Sequence, residues 1–309
     1  MSAPKYAIGV DIGGTKIAFA LVDSAGRVLD TAQLPTDADQ GPDAVVAAAA
    51  AGVRLLLDRA TGVVSGVGVG VPGFVDTEQG IVRGAVNLGW DEMPLGARLQ
   101  AAVGLPVQVR NDVNAILEGE LRFGAARGCQ TVALAAIGTG IGGAIAVEGK
   151  VVGGAYGSAG EIGHTAIMSP RRTCRCGQRG CVEAYLSGVG LVGGIAEHAV
   201  QFPASPLAVG EPTAREIVAA ADSGDLLALA AIDDALEAWQ SVVSVFAMIL
   251  NPERIVIGGG LGHALGPRLL EAGEQARLER VLPVARGVTF ALAEVPSPAV
   301  GAAAAGLMP

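Results

Sequence analysis

Two stretches of this 309-residue chain resemble one another at the length of a domain, and that repeat is the strongest constraint on its fold. The first runs from the apolar Tyr6–Val10 through Asp11-Ile-Gly-Gly-Thr-Lys16 into the apolar Ile17–Val22 and a turn at Asp23-Ser-Ala-Gly26. The second runs from Thr131–Ala136 through Ile137-Gly-Thr-Gly-Ile-Gly-Gly143 into Ala144–Val147 and a turn at Glu148-Gly149-Lys150, with Gly13 and Gly138 standing 125 residues apart. Each reads as strand, glycine turn, strand, turn. A strand pair recurring at this spacing predicts two related lobes.

What lies between and after the repeats reads as alternating helix and strand. An alanine-rich helix is expected around Ala44–Ala60, a strand over Gly66–Val71 ending at Pro72-Gly73, and a strand over Pro106–Val109. In the segment that follows, Val113, Ile116, Leu117 and Leu121 share a helical face, Asn111 is a suitable N-cap and Asp112 sits in the first turn. Helices over Thr213–Ser223 and Leu226–Leu250, a strand Arg254–Ile257, a glycine loop Gly258–Gly262 and a closing helix Val300–Leu307 complete the pattern. Such alternation predicts an α/β fold with strands at its centre. The expected division is a smaller lobe over residues 1–112, rejoined by the closing helix at about 300–309, and a larger lobe over 113–299.

Several classes of function are disfavoured. Thirty acidic residues against twenty-one Lys and Arg leave a net charge of −9, which argues against a nucleic-acid or anionic-membrane surface. The weakly polar stretch Thr131–Val147 is too short and too rich in glycine to span a bilayer. The start, MSAPKYAIGVD, lacks the apolar core of a secretory signal, so a cytoplasmic location is expected. The acidic balance leaves room for an anionic small ligand, because backbone N–H groups in glycine loops bind phosphate without lysine.

The two glycine turns suit that role, each with exposed N–H groups and a hydroxyl: Gly13, Gly14, Thr15 and Lys16 in one, Gly138, Thr139 and Gly140 in the other. Either alone is more often a hairpin with glycine for steric reasons. Their repetition, the acidic Asp11 before the first, and Gly259 and Gly260 in the third loop together favour a polyphosphate held by several loops, with Asp11 a candidate holder of Mg²⁺. The P-loop pattern is absent. Asp112 is a candidate base, since phosphoryl transfer to an alcohol needs a carboxylate at the hydroxyl; a first-turn acid serving only the helix dipole is the alternative. Asn111, Glu161, His164 and Glu183 offer the paired donors and acceptors that sugar hydroxyls require.

Three of the four cysteines fall within eight residues, Cys174, Cys176 and Cys181, with His164 ten residues upstream of the first. Three thiolates and an imidazole make a closed tetrahedral Zn²⁺ set, which is structural because no position is left for water. A redox pair or incidental cysteines are the alternatives. Cys129 stands apart and is expected to be a small core residue.

With these residues in view, the chain resembles the ROK family of repressors and sugar kinases, and within it the bacterial glucokinases. The carriers are DIGGTK (Asp11–Lys16), VPGFVD (Val71–Asp76), NDVNA (Asn111–Ala115), IGTGIGGA (Ile137–Ala144), GEIGH (Gly160–His164) and CRCGQRGCVE (Cys174–Glu183). The resemblance implies an actin-like, ribonuclease-H-like ATPase fold of two lobes with sugar in the interlobe cleft. It implies Asp112 as base, Asn111, Glu161, His164 and Glu183 as sugar contacts joined by Gly73 and Asn87, zinc on His164, Cys174, Cys176 and Cys181, and self-association as a homodimer or homotetramer. Ala144 replaces a frequent third glycine, and Phe74 departs from commoner variants; neither removes a reacting group. The family's repressors carry a DNA-binding segment ahead of the first phosphate motif, whereas ten residues precede Asp11 here.

The expected activity is therefore ATP-dependent phosphorylation of a hexose, with glucose at O6 the leading acceptor. Mannose, fructose, an N-acetylhexosamine, an amino sugar such as kanosamine, polyphosphate as donor, and a non-catalytic sugar sensor are the alternatives. Loss of zinc is expected to impair sugar affinity more than ATP affinity, because the glycine loops are remote from the cysteines in sequence.

Overall fold

The computed structural model describes residues 5–307. Met1–Pro4 and Met308–Pro309 lie outside the described residues, and with them the start of the segment read against a secretory signal and the last residues assigned to the first lobe. Along the chain come β1 Lys5–Ile12, β2 Lys16–Asp23, β3 Val28–Pro35, α1 Pro42–Arg59, β4 Val63–Val71, the short strands β5 Phe74–Asp76, β6 Ile81–Ala85 and β7 Trp90–Met93, then α2 Leu95–Val103, β8 Val107–Asn111 and α3 Asp112–Phe123. Then follow β9 Val132–Ile137, β10 Ile141–Val147, β11 Lys150–Val151, α4 Gly188–His198, α5 Ala214–Asp222, α6 Leu226–Val245, β12 Arg254–Gly258, α7 Gly260–Ala264, α8 Gly266–Glu279, β13 Thr289–Leu292 and α9 Pro298–Gly306. The contacts divide the chain into two units: Met1–Gly128 with Lys150–Ala159 and Glu294–Pro309, and Cys129–Gly149 with Gly160–Ala293. Helix α3, which the sequence reading put at the start of the larger lobe, packs with the first unit.

The first unit's main sheet has the order β3-β2-β1-β4-β8, antiparallel from β3 to β1 and parallel from β1 to β8. In the second unit β10 and β9 are antiparallel, and β9, β12 and β13 run parallel in that order. Both glycine turns are thus hairpin loops in equivalent places, with Ile12 opposite Ile17 across the first and Ile137 opposite Ile141 across the second. An antiparallel hairpin continued by parallel strands, built twice, gives the two related lobes that the repeat predicts and the actin-like ATPase fold that the resemblance implies.

Helices cover the sheets by two different kinds of contact. In the first unit α1 buries Val45, Ala49, Val53 and Leu56, and the Phe19 ring lies over Gly52. On the other face α9 sits directly on the strand backbones: a Cβ on Gly9 would overlap the Ala299 carbonyl, and one on Gly68 the Ala302 carbonyl. Small residues also set the packing of α3. Its closest approach to α9 is Gly119 against Gly301, and its buried positions are Asn114, Ala115, Leu117, Gly119 and Glu120. Of the apolar face read from sequence only Leu117 is buried, because so close a helix pair has no room for Val113, Ile116 or Leu121 between the backbones.

The fully buried Glu120 accepts from the N–H groups of Ala125, Glu294 and Val295, so its carboxyl oxygens are satisfied by three backbone donors. In the second unit the core gathers around α6, where Trp239 is fully buried and its Nε1 donates to the Leu269 carbonyl at 2.8 Å.

Three local readings change. The α-helix from Leu226 stops at Val245 and gives way to a π turn, Phe246–Leu250, capped by Asn251 with φ 50°. The stretch Gly258–Gly262 is a loop only as far as Gly259, since α7 begins at Gly260. Cys129 is half-buried rather than core, as it opens the segment that leads into β9.

The seating of α9 yields a direct test. Gly9→Ala should lower the unfolding free energy by roughly 3 kcal/mol, since neither backbone can yield locally, whereas Gly287→Ala, in open space, should change it by less than about 0.5 kcal/mol. Urea unfolding of the two variants beside the parent protein measures the contrast, and equal midpoints would refute backbone-to-backbone seating.

Candidate functional site

Each unit carries its own set of the expected residues. In the first, Asp11 is the last but one residue of β1 and pairs across to Gly70 of β4, and Val71 pairs in turn to Asn111 of β8, so the expected residues lie where adjacent parallel strands finish. The Asn111 amide holds the junction. Its Oδ1 accepts from Val113 N at 3.0 Å and Asn114 N at 3.1 Å, which caps α3, and its Nδ2 donates to the Gly73 carbonyl at 3.1 Å. The expected sugar-matching pair is therefore largely committed to the fold, and the Asn111 side chain also hydrogen-bonds to the Asp112 carboxyl. Gly73 has φ 101°, a left-handed conformation, and a Cβ there would overlap the Gly84 carbonyl. Asn87 is exposed on the 3₁₀ turn Val86–Leu88 and makes no hydrogen bond among the described residues.

Burial raises the carboxyl of Asp112 above its ordinary value, although its Oδ1 accepts from Val113 N at 2.9 Å. Asp11 is pushed up to about 6, first by burial and then by the charge of Asp112, with Lys16 acting the other way. Two carboxylates held short of counter-charge favour a cation beside Asp11 and suit Asp112 to receiving a proton. The first glycine loop is pinned by a residue that sequence reasoning missed. Thr36, fully buried, donates its hydroxyl to the Gly13 carbonyl at 2.7 Å and its N–H to Thr15 O at 3.1 Å, leaving Gly14, Thr15 and Lys16 exposed.

In the second unit Glu161 is exposed and opens a 3₁₀ turn, Ile162–His164, whose histidine meets the three cysteines. The four ligand atoms all lie within 4.8 Å of one another; His164 Nδ1 is 3.7 Å from Cys174 Sγ, and Cys176 Sγ is 3.6 Å from Cys181 Sγ. Sulfur ligands about 2.3 Å from a tetrahedral zinc would be about 3.8 Å apart, so the donor set fits that ion in spacing as well as in chemistry. Burial raises Cys174, and burial with the neighbouring sulfurs pushes Cys181 up to about 12, whereas the Gln178 N–H lowers the exposed Cys176. A cation would relieve this reluctance to ionise. The loop is anchored from behind by Arg172, which pairs with Glu197 at 2.7 Å and with Asp234, and stacks 4.4 Å from the Tyr185 ring centre.

Glu183 joins the cysteine cluster to the second glycine loop. One carboxylate oxygen is 3.5 Å from Cys174 Sγ and the other accepts from Ile141 N at 3.3 Å, close enough to Gly140 that a Cβ there would meet it. The loop is fixed on its far side by α4, where Gly188 N donates to Gly138 O at 2.8 Å and Val189 N to Thr139 O at 3.3 Å. Beyond it opens a cavity of about 880 Å³. Gly138, Thr139 and Gly260 line it together with Val189 and Val192 of α4 and Val218 of α5. These valines were missed because at helical spacing they are indistinguishable from core.

The comparisons agree with one another. Residues 7–305 match the family described as "ROK family". A glucokinase of Halalkalibacterium halodurans is 36% identical over 299 residues, 94% of this chain and 90% of that protein. An N-acetyl-D-glucosamine kinase of Escherichia coli O1:K1 is 34% identical over 291 residues, 90% of this chain and 91% of that protein. The crystal structure of a ROK family glucokinase from Streptomyces griseus, in complex with glucose and AMPPNP, superposes with a TM-score of 0.78 at 32% identity, covering 96% of this chain and 98% of that one.

Asp11 supplies a test in pH. Because it ionises less readily folded than unfolded, its contribution to stability is full below about pH 4 and is lost as pH rises through about 6. Asp11→Asn should remove that decline, so that in metal-free buffer the variant's unfolding free energy gains on the parent's from pH 4.5 to 7 by roughly 1–3 kcal/mol. Parallel stability curves would show that the carboxyl is not held up by burial.

Proposed function

The chain belongs to the ROK family, and on that premise we propose that it transfers the γ-phosphoryl group of ATP to the 6-hydroxyl of glucose. It is an ATP-dependent sugar kinase acting on a hexose. The observation that carries the mechanism is the half-buried Asp112 at the N-terminus of α3, whose charge acts on a second half-buried carboxyl, Asp11, and which is itself raised above its ordinary pKa. Asp112 orients the acceptor hydroxyl and takes its proton as the phosphoryl group arrives in line. Gly73, Asn87, Asn111, Glu161, His164 and Glu183 complete the sugar's hydrogen bonds, His164 through the ring nitrogen that does not face the cysteines.

On the donor side the N–H groups of Gly13–Lys16 in the first unit and of Gly138–Gly140, with Gly259 and Gly260, in the second serve as phosphate contacts, and the valines that line the cavity take the base. Asp11 is the residue that would hold Mg²⁺, an ion that neutralises charge on a triphosphate when bound. His164, Cys174, Cys176 and Cys181 would hold a structural Zn²⁺. It would clamp the segment between Glu161 and Glu183. Among the described residues no helix is long and apolar enough to cross a membrane.

A second reading has its own support, since the similarity to an N-acetylglucosamine kinase is nearly as high as that to a glucokinase. ADP release measured over glucose, mannose, fructose and N-acetylglucosamine, with ATP and with polyphosphate as donor, should give the highest kcat/KM for glucose with ATP. A higher value for N-acetylglucosamine would install the second reading instead.

Two variants test the residue roles. Asp112→Asn should lower kcat about 10²–10⁴-fold while glucose still binds, because the cap geometry survives and the proton acceptor does not; near-normal turnover would remove Asp112 as base. Elemental analysis of never-chelated protein should find about one zinc per chain, and Cys176→Ser should lose most of it together with thermal stability and glucose affinity. A metal-free parent protein of full activity would end the zinc assignment.

A further inference from the structure

We infer that Arg175, the residue between two of the cysteines, contacts the donor's phosphate chain, so that the cysteine loop serves the nucleotide as well as the sugar. The inference rests on the nucleotide reading of the cavity and adds a residue that neither the glycine loops nor the sugar contacts supply.

The loop contains four arginines, and three are committed. Arg171 and Arg172 pair with Glu197 and Asp234, and Arg179 donates to the carbonyls of Pro170 and Arg171. Arg175 alone has no hydrogen bond or ion pair among the described residues, yet it lines the same cavity as Gly138, Thr139 and Gly260. Its backbone is held on both sides: Cys174 N donates to Gln178 O at 2.8 Å, Gly177 N to Cys174 O at 3.0 Å, and Thr173 bridges to Arg179. An uncommitted guanidinium on a tethered turn, lining the same cavity as glycines that offer only neutral N–H donors, is placed to meet a polyanion. The cavity's other cation, Arg215, sits on α5 and has no tie to the cysteine loop; its carboxylate, Asp222, is engaged by Arg268. Glu183 reinforces the link, because its carboxylate touches Cys174 on one side and the Ile141 N–H of the phosphate loop on the other.

The expectation that metal loss impairs sugar affinity more than ATP affinity rested on separation along the sequence. The fold brings the cysteine loop to the edge of the donor cavity, so on this inference metal removal weakens both substrates.

The test uses the full chain with its metal content measured in every sample. Arg175→Ala should raise the KM for ATP and the Kd for ADP by roughly 10- to 100-fold, as expected for loss of a charge-assisted contact. Arg175→Lys should recover part of the loss, while adenosine binding, the KM for glucose and the zinc content stay unchanged. Unaltered ADP and ATP affinity in Arg175→Ala overturns the inference, as does a loss of zinc, or of adenosine binding, matching the loss of ADP binding. Val192→Trp, which puts a large ring on the lining of the cavity, separates the two readings. If it weakens adenosine and ADP while Arg175→Ala does nothing, only the role of Arg175 fails. If neither variant affects nucleotide binding, the cavity is not the nucleotide site and both readings fail.

Discussion

The side-chain amide of Asn111 is the interaction on which the first unit's chemistry depends. An N-cap ordinarily contributes about 1 kcal/mol to its helix. Here the same group also holds the carbonyl of Gly73, in a turn whose left-handed backbone admits no side chain. The start of α3, and with it the carboxyl of Asp112, is thus referenced to the end of β4 by one planar amide using both its acceptor and its donor. A base for phosphoryl transfer has to stand within a fraction of an ångström of its hydroxyl. A cap bonded to a neighbouring strand end supplies that accuracy without a large apolar contact, and this agrees with the small residues along the buried face of α3.

The second unit achieves the same end through Glu183, since its carboxylate lies between Cys174 of the histidine–cysteine cluster and the Ile141 N–H of the second glycine turn. The Arg172 network fastens the far side of the loop to α4 and α6, so the segment from His164 to Glu183 is tied at a cluster of one histidine and three cysteines, at an ion cluster and at a glycine turn. Few large apolar residues are needed for a segment held this way, which explains how an otherwise polar loop can carry functional side chains.

Much of this was legible in the sequence because the relevant signals were local. The two hairpins follow from apolar runs broken by glycine, the cap of α3 from an asparagine before an amphipathic run, and the donor set from cysteine spacing. What escaped was set by distant partners. Thr36 pins the first glycine loop from more than twenty residues away, Val189, Val192 and Val218 look like core until a cavity opens beside them, and the apolar periodicity of α3 gave no hint that its glycine side faces α9. Close approach of backbones leaves only small residues in a sequence, and small residues carry no pattern of their own.

The seating of α9 also sets an order of events during synthesis. The glycines of β1 and β4 wait for a partner that emerges only after the whole second unit, Cys129–Gly149 and Gly160–Ala293, has left the ribosome. Until then one face of the first sheet has no cover, and the buried carboxylate of Glu120 lacks two of its three donors. The part of the chain made first is therefore completed last, and the nascent chain presents an uncovered sheet, the kind of surface that chaperones bind, for most of its translation.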